Sequence, residues 1–145
     1  MTKELHSSLN QQVANLLVIY TKLHHYHWYA TGDMFLELHE KFENLYNATA
    51  SYYDTVAERL LMIGGRPVSS LKGSLEIATI KEEHSIAPSK EMVHSVIHDF
   101  NILIESLSHI ADQASKVNDD VTADLCVGIS RDLQKEVWLL KSLLA

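Results

Sequence analysis

Apolar residues recur at spacings of three and four along most of the chain, and the pattern marks out four long amphipathic helices. Leu9, Val13, Leu16, Tyr20, Leu23 and His27 line the first seam, on a helix of about 25 residues ending near Ala30. Gly32 closes it, and Asp33 is the expected cap of the next helix. There Phe35, Leu38, Phe42, Leu45, Thr49, Val56 and Leu60 form the seam, and Gly64-Gly65 stops it with Pro67 just beyond.

Residues 64–88 make a connection too long for a tight turn, and Leu71 to Ile80 predicts a short extra helix within it. Pro88-Ser89 opens the third long helix, with Ser89 as cap and Glu91 in the favourable first turn. Its seam runs Val93, Val96, Ile97, Phe100, Leu103, Ile104, Leu107, Ile110, Ala114. Asn118-Asp119-Asp120 breaks and recaps the chain, and Val121 to Leu144 forms the fourth helix on Leu125, Ile129, Leu133, Val137, Leu140 and Leu144. No strand candidate or internal repeat interrupts this order. One long crossover between the second and third helices describes an all-α, ferritin-like four-helix bundle better than a simple up-down bundle. At 145 residues the expectation is a single domain over 1–145.

Charge and composition narrow the function classes. The net charge of −7 opposes non-specific phosphate binding, and Lys3 is the one basic residue among the first ten. That argues against direct DNA binding through a basic tail. The single cysteine, Cys126, excludes an internal disulfide and fits a reducing cytoplasm, where it reads as a small buried apolar residue. No apolar run of ~18 residues marks a membrane span, and the N-terminus lacks a signal-peptide layout. No Gly-rich phosphate loop, Ser/His/Asp order or Cys-x2-Cys is present.

The candidate chemistry lies on the second helix. His39 and Glu43 form one i,i+4 pair, and Asp54 and Glu58 another. With Phe42 at zero and 100° per residue, the four fall at ~60°, ~100°, ~120° and ~160°, so the carboxylates point away from the chain's own core. At 1.5 Å per residue, His39 and Asp54 lie roughly 22 Å apart, against metal–ligand bonds of ~2.0–2.6 Å. One ion cannot be shared within a chain. An antiparallel second copy, on a twofold axis near residues 48–49, sets His39 and Glu43 level with Glu58 and Asp54 of its partner and generates two identical sites. His27 joins them if the Thr31–Asp33 turn folds the first helix onto the second. Such imidazole and carboxylate donors suit iron, manganese or zinc. Singly, each residue reads more readily as a core histidine or a solvated acid; their common register gives the metal reading its weight.

The segment His27-Trp28-Tyr29-Ala30-Thr31-Gly32, followed by Phe35, Leu38-His39-Glu40-Lys41-Phe42, Tyr46, Asp54 and Ala57-Glu58-Arg59, resembles the Dps family of mini-ferritins. The resemblance is dense over residues 16–68 and looser to Ala145. It implies a dodecameric shell with di-iron ferroxidase sites at twofold interfaces. Each site takes His27, His39 and Glu43 from one subunit and Asp54 and Glu58 from the other. It implies that His27, Asp54 and Glu58 hold two iron ions directly, with His39 acting through a water. Glu43 departs from the pattern, since Asp is frequent there, and its carboxylate is shifted by about one methylene. Fe2+ oxidised by hydrogen peroxide and stored as ferric mineral is the implied reaction, with Trp28 beside the ligands. Asp120 and Asp124 match acids that line threefold pores through which iron enters; alone they read as helix N-terminal charges. A bacterial cytoplasmic protein is implied, protecting DNA from oxidative damage; the alternative is a DNA-coating protein of the nucleoid.

Two features carry less. Glu91-x2-His94 is a lone copy of a motif that larger ferritin-type sites use twice, which disfavours a site inside one bundle. His94 and His98, one turn apart, read as surface residues.

Overall fold

A computed structural model describes residues 2–145, in five helices: α1 (Thr2–Tyr29), α2 (Phe35–Met62), α3 (Leu71–Ile77), α4 (Ser89–Lys116) and α5 (Asp120–Leu144). The expected all-α bundle is present, with α3 as the short helix of the crossover. α1 pairs with α2 and α4 with α5 as two helical hairpins, and α1 also packs on α4 and α3. The seams meet in one core, in which Tyr26, Phe42 and Phe100 are the largest fully buried side chains. Truncating such an aromatic would cost on the order of 3–5 kcal/mol.

Helix ends depart from the expectations in ways that local bonding explains. Asp33 does not cap α2: Met34 holds that position with no side-chain bond, and Phe35 N–H instead reaches Gly32 O. Gly32 sits at φ 96°, so the turn rests on glycine's left-handed backbone. Ser89 is already inside α4, behind Pro88. Its hydroxyl donates to Thr31 O at 2.6 Å and accepts from Thr31 N–H, tying the α1–α2 turn to α4. The crossover helix stops at Ile77, short of the expected Ile80, because Ala78 turns extended. Asn15 of α1 explains the stop, since its Oδ1 accepts the N–H groups of Thr79 and Ile80 at 2.8 and 3.1 Å.

α2 and α4 share one ending. Gly65 N–H bonds Leu60 O and Gly64 N–H bonds Leu61 O, the crossed pair of a Schellman motif with Gly64 at φ 89°. In α4 the same bonds run from Asp119 to Ala114 and from Asn118 to Ser115, with Asn118 at φ 60°. Asp119 then caps α5: its carboxylate accepts from Thr122 N–H and the Thr122 hydroxyl. Arg59 of α2 completes the joint, donating to Asp119 Oδ1 at 3.0 Å and Thr122 Oγ1 at 2.9 Å. Burial alone would raise the Asp119 carboxyl, but Thr122 and Arg59 outweigh it and hold it below the ordinary carboxylate range. A depressed acid stabilises the fold above its unfolded value of about 3.9 and loses that contribution as pH falls through the folded value. Wild-type Tm is therefore expected to fall more steeply below about pH 4 than that of Asp119→Asn. Thermal scans from pH 6 to 3 check this; parallel curves would contradict it.

Elsewhere polar bridges lock the helices. Lys22 of α1 meets Asp99 of α4 at 2.5 Å, both side chains more than nine-tenths buried. Tyr26 donates to Ser95, also on α4. α2 is tied to α5 by Lys41 with Glu136 and by Tyr52 with Asp132, besides the Arg59 joint. Cys126 is fully buried as expected, and burial pushes its thiol up to about 12, which leaves it unreactive.

Candidate metal centre

The tight turn after α1 folds the end of that helix back on the start of α2, and this sets the first half of the candidate centre. His27 lies in the last turn of α1 and His39 in the second turn of α2. Their rings stack at 3.7 Å between centroids, 14° from parallel. Each Nδ1 faces the other residue's backbone carbonyl: His27 to His39 O at 2.6 Å, and His39 to His27 O at 2.7 Å. A carbonyl only accepts, so each Nδ1 carries a proton and donates it, which leaves Nε2 as the nitrogen of each ring available to a metal. That is the tautomer a metal requires, held by the kind of backbone contact that orients ligating histidines.

Glu43 stands one turn along α2, its Oε1 3.9 Å from His27 Nε2. The gap exceeds a hydrogen bond. His27 is buried while Glu43 is half-exposed, so an open carboxylate faces a sheltered imidazole. Tyr46 donates to the same oxygen at 3.5 Å and sets its ring edge against His27. Burial, then the Glu43 charge, raises the Tyr46 phenol. His24 stacks on Tyr46 at 3.7 Å and approaches Trp28 at 5.3 Å. Trp28 itself is 66% exposed.

Asp54 and Glu58 do not join this group. Both are exposed on the later half of α2, beyond reach of His27 and His39 in the same chain. Among the described residues, no three His, Cys, Asp or Glu side chains gather to hold an ion. Asp120 and Asp124 are exposed in the first turns of α5, where Asp119 rather than Asp120 is the cap. His94 and His98 stay exposed on α4.

Of the further partners in this framework, spacing points to one and misses two. Tyr46 lies three residues after Glu43, a separation that puts both on one helix face, and that signal was available. The Lys22–Asp99 pair and the Arg59 joint connect positions 77 and 60 residues apart, for which one chain offers no pattern.

Similar proteins agree with this architecture. The family model of the ferritin-like domain matches residues 7–145. General stress protein 20U of Bacillus subtilis (strain 168) is 45% identical over 144 residues, covering 99% of both chains. A Brevibacillus brevis protein named DNA protection during starvation protein is 46% identical, over 94% of this chain and 91% of its own. The crystal structure of a Dps protein from Bacillus brevis superposes with a TM-score of 0.97 at 44% identity, covering 99% of this chain and 97% of that one. One from Vibrio cholerae O1, described as a member of a superfamily of ferritin-like diiron-carboxylate proteins, gives 0.95 at 33%, covering 99% and 91%. Matched over nearly its whole length in sequence and in fold, the chain belongs to the Dps family of ferritin-like proteins.

Proposed function

We propose that the protein oxidises Fe2+ with hydrogen peroxide at sites shared between two subunits and stores the ferric product inside a dodecameric shell. Iron is substrate and cargo here, so the site must admit it, oxidise it and let it pass on. The observation that carries the reading is the reciprocal His27–His39 lock, which engages both Nδ1 atoms and leaves both Nε2 atoms available, that of His27 beside the Glu43 carboxylate. Asp54 and Glu58 of a second copy complete the site. They are exposed, as groups awaiting a partner must be, and the twofold register brings them level with Glu43 and His39. His27, Asp54 and Glu58 hold two iron ions directly, and His39 acts through a water.

Exposed apolar side chains support an assembly. Trp28, Leu36 and Leu71 are 66%, 75% and 71% exposed, more than an isolated subunit would leave in water without a function. A cavity of ≈ 420 Å³ between α1 and α3 is lined by Leu17, Thr21, Trp28, Leu71 and Leu75 among others. The diiron-carboxylate description of the Vibrio relative supports iron as the metal. Structures of the Listeria innocua relative soaked with zinc or cobalt support the use of those ions as probes.

In the reaction, two Fe2+ each give one electron to one peroxide: 2 Fe2+ + H2O2 + 2 H+ gives 2 Fe3+ + 2 H2O. Pairing two irons lets the O–O bond break in one two-electron event, without releasing hydroxyl radical. Carboxylate donors favour the ferric product through its higher charge. Asp120 and Asp124 line the threefold inlet, where paired carboxylates draw cations inward. A bacterial cytoplasmic setting fits this work, and DNA is protected by removal of peroxide and iron. The starvation names of the relatives also suit a DNA-coating protein, but the −7 charge disfavours it. A gel shift that weakens as salt rises would support coating.

Anaerobic titration of metal-free protein, then peroxide, tests the proposal. About two Fe2+ are expected per interfacial site, both oxidised by one peroxide with no radical spin-trapped. One oxidised iron per peroxide, with trapped radical, would contradict it.

A further inference from the structure

We infer that Arg59 is a positioning residue for the iron inlet, clamping the first turn of α5, and with it Asp120 and Asp124, against the end of α2. The inference rests on the inlet assigned under the proposed function. Arg59 spends two separate N–H groups on the joint, Nε on Thr122 Oγ1 at 2.9 Å and Nη2 on Asp119 Oδ1 at 3.0 Å. Thr122 is bound back to Asp119 through both its N–H and its hydroxyl, and Asp119 N–H is held by Ala114 O. Asp120 therefore lies between residues fixed on both sides, with Asp124 one turn on.

An inlet needs such restraint. The opening N–H groups of a helix have no partner within it, so a first turn frays readily. A threefold inlet also gathers like charges, and their mutual repulsion grows as they approach. That repulsion would splay an unclamped turn and blunt the capture of iron. Arg59 opposes it by holding Asp119 and Thr122, and its planar fork suits two acceptors at fixed positions; a lysine ammonium would not span both in that geometry. Glu58, the candidate iron ligand, immediately precedes Arg59. The same clamp thus fixes the inlet relative to the oxidation site.

The test compares assembled wild type with Arg59→Lys, Arg59→Gln and Asp119→Asn. In metal-free protein, hydrogen exchange at the amides of residues 122–124 is expected to rise at least about tenfold in Arg59→Gln. In steady-state oxidation, the apparent KM for Fe2+ rises about fivefold or more, with kcat within about twofold. Zn2+ affinity at the twofold site, read by calorimetry, stays within about twofold. Arg59→Lys retains the charge but loses the fork, and is expected to resemble Arg59→Gln. If Arg59→Gln fails to assemble, Arg59→Lys and Asp119→Asn carry the same comparison. An unchanged KM in the assembled variants, or a loss of kcat and Zn2+ affinity together, overturns the inference and leaves the proposed function standing. A wild type that oxidises no Fe2+ overturns both.

Discussion

Replacing Asp54 and Glu58 together by alanine is expected to abolish fast Fe2+ oxidation, lowering the initial rate by at least about 100-fold, because even outer partners of a metal site are worth 10–100-fold. Both side chains are exposed on α2, so their loss leaves the packed core untouched. Stability should therefore stay within about 0.5 kcal/mol of wild type, the usual range for surface substitutions. Stopped-flow absorbance with peroxide gives the rate, and a urea melt gives the stability. The contrast is diagnostic: acids that serve only solubility would leave both unchanged, and acids that serve only folding would lower both. An unchanged rate would remove these residues from the site.

Asp99→Ala is expected to produce a large loss of stability, about 3–5 kcal/mol, because it strands the Lys22 ammonium between α1 and α4. The pair is close, at 2.5 Å, and both side chains are under one-tenth exposed. Burial raises the Asp99 carboxyl even against the ammonium, a sign that desolvation dominates at this position. The double variant Lys22→Met/Asp99→Leu should then recover most of the loss, since apolar replacements of similar volume avoid desolvating charge altogether. Urea unfolding of wild type, the single variant and the double variant measures both. A single-variant cost below about 1 kcal/mol would mean that water reaches the pair.

Sequence periodicity revealed the four long helices because each buries a single face, and a seam such as Val93, Val96, Phe100, Leu103 and Leu107 survives in any context. It was weaker at the ends, where one bond decides. Ile77 and Ile80 have helical spacing, yet Asn15 draws the backbone at 79–80 into an extended path, and Ile80 is buried without belonging to a helix. Asp33 and Ser89 have capping chemistry but each lies one position from the actual cap, because the Gly32 turn and the Thr31–Ser89 contact take precedence.

The candidate site divides along the same line. His27 and His39 could be paired from sequence, since only a short turn separates their helices, and the stacked rings agree. What the sequence lacked was the reciprocal carbonyl lock that decides the tautomer. Tyr46 and Arg59 appeared there as members of a motif, without the partners that give them a task. Asp54 and Glu58 stand out in the sequence by their outward direction, and a single chain supplies nothing for them to face.

Co-assembly of two inactive variants tests most directly whether the iron site is divided between subunits. One variant carries His27→Ala with His39→Ala, the other Asp54→Ala with Glu58→Ala, and the two are co-expressed in equal amounts. Each mixed twofold pair then regenerates one complete site beside one empty one, so random pairing restores about a quarter of the wild-type oxidation rate. Recovery near that level, with each variant silent alone, is the predicted result. A mixed shell as inactive as its parents, confirmed as mixed by mass spectrometry, would contradict the account.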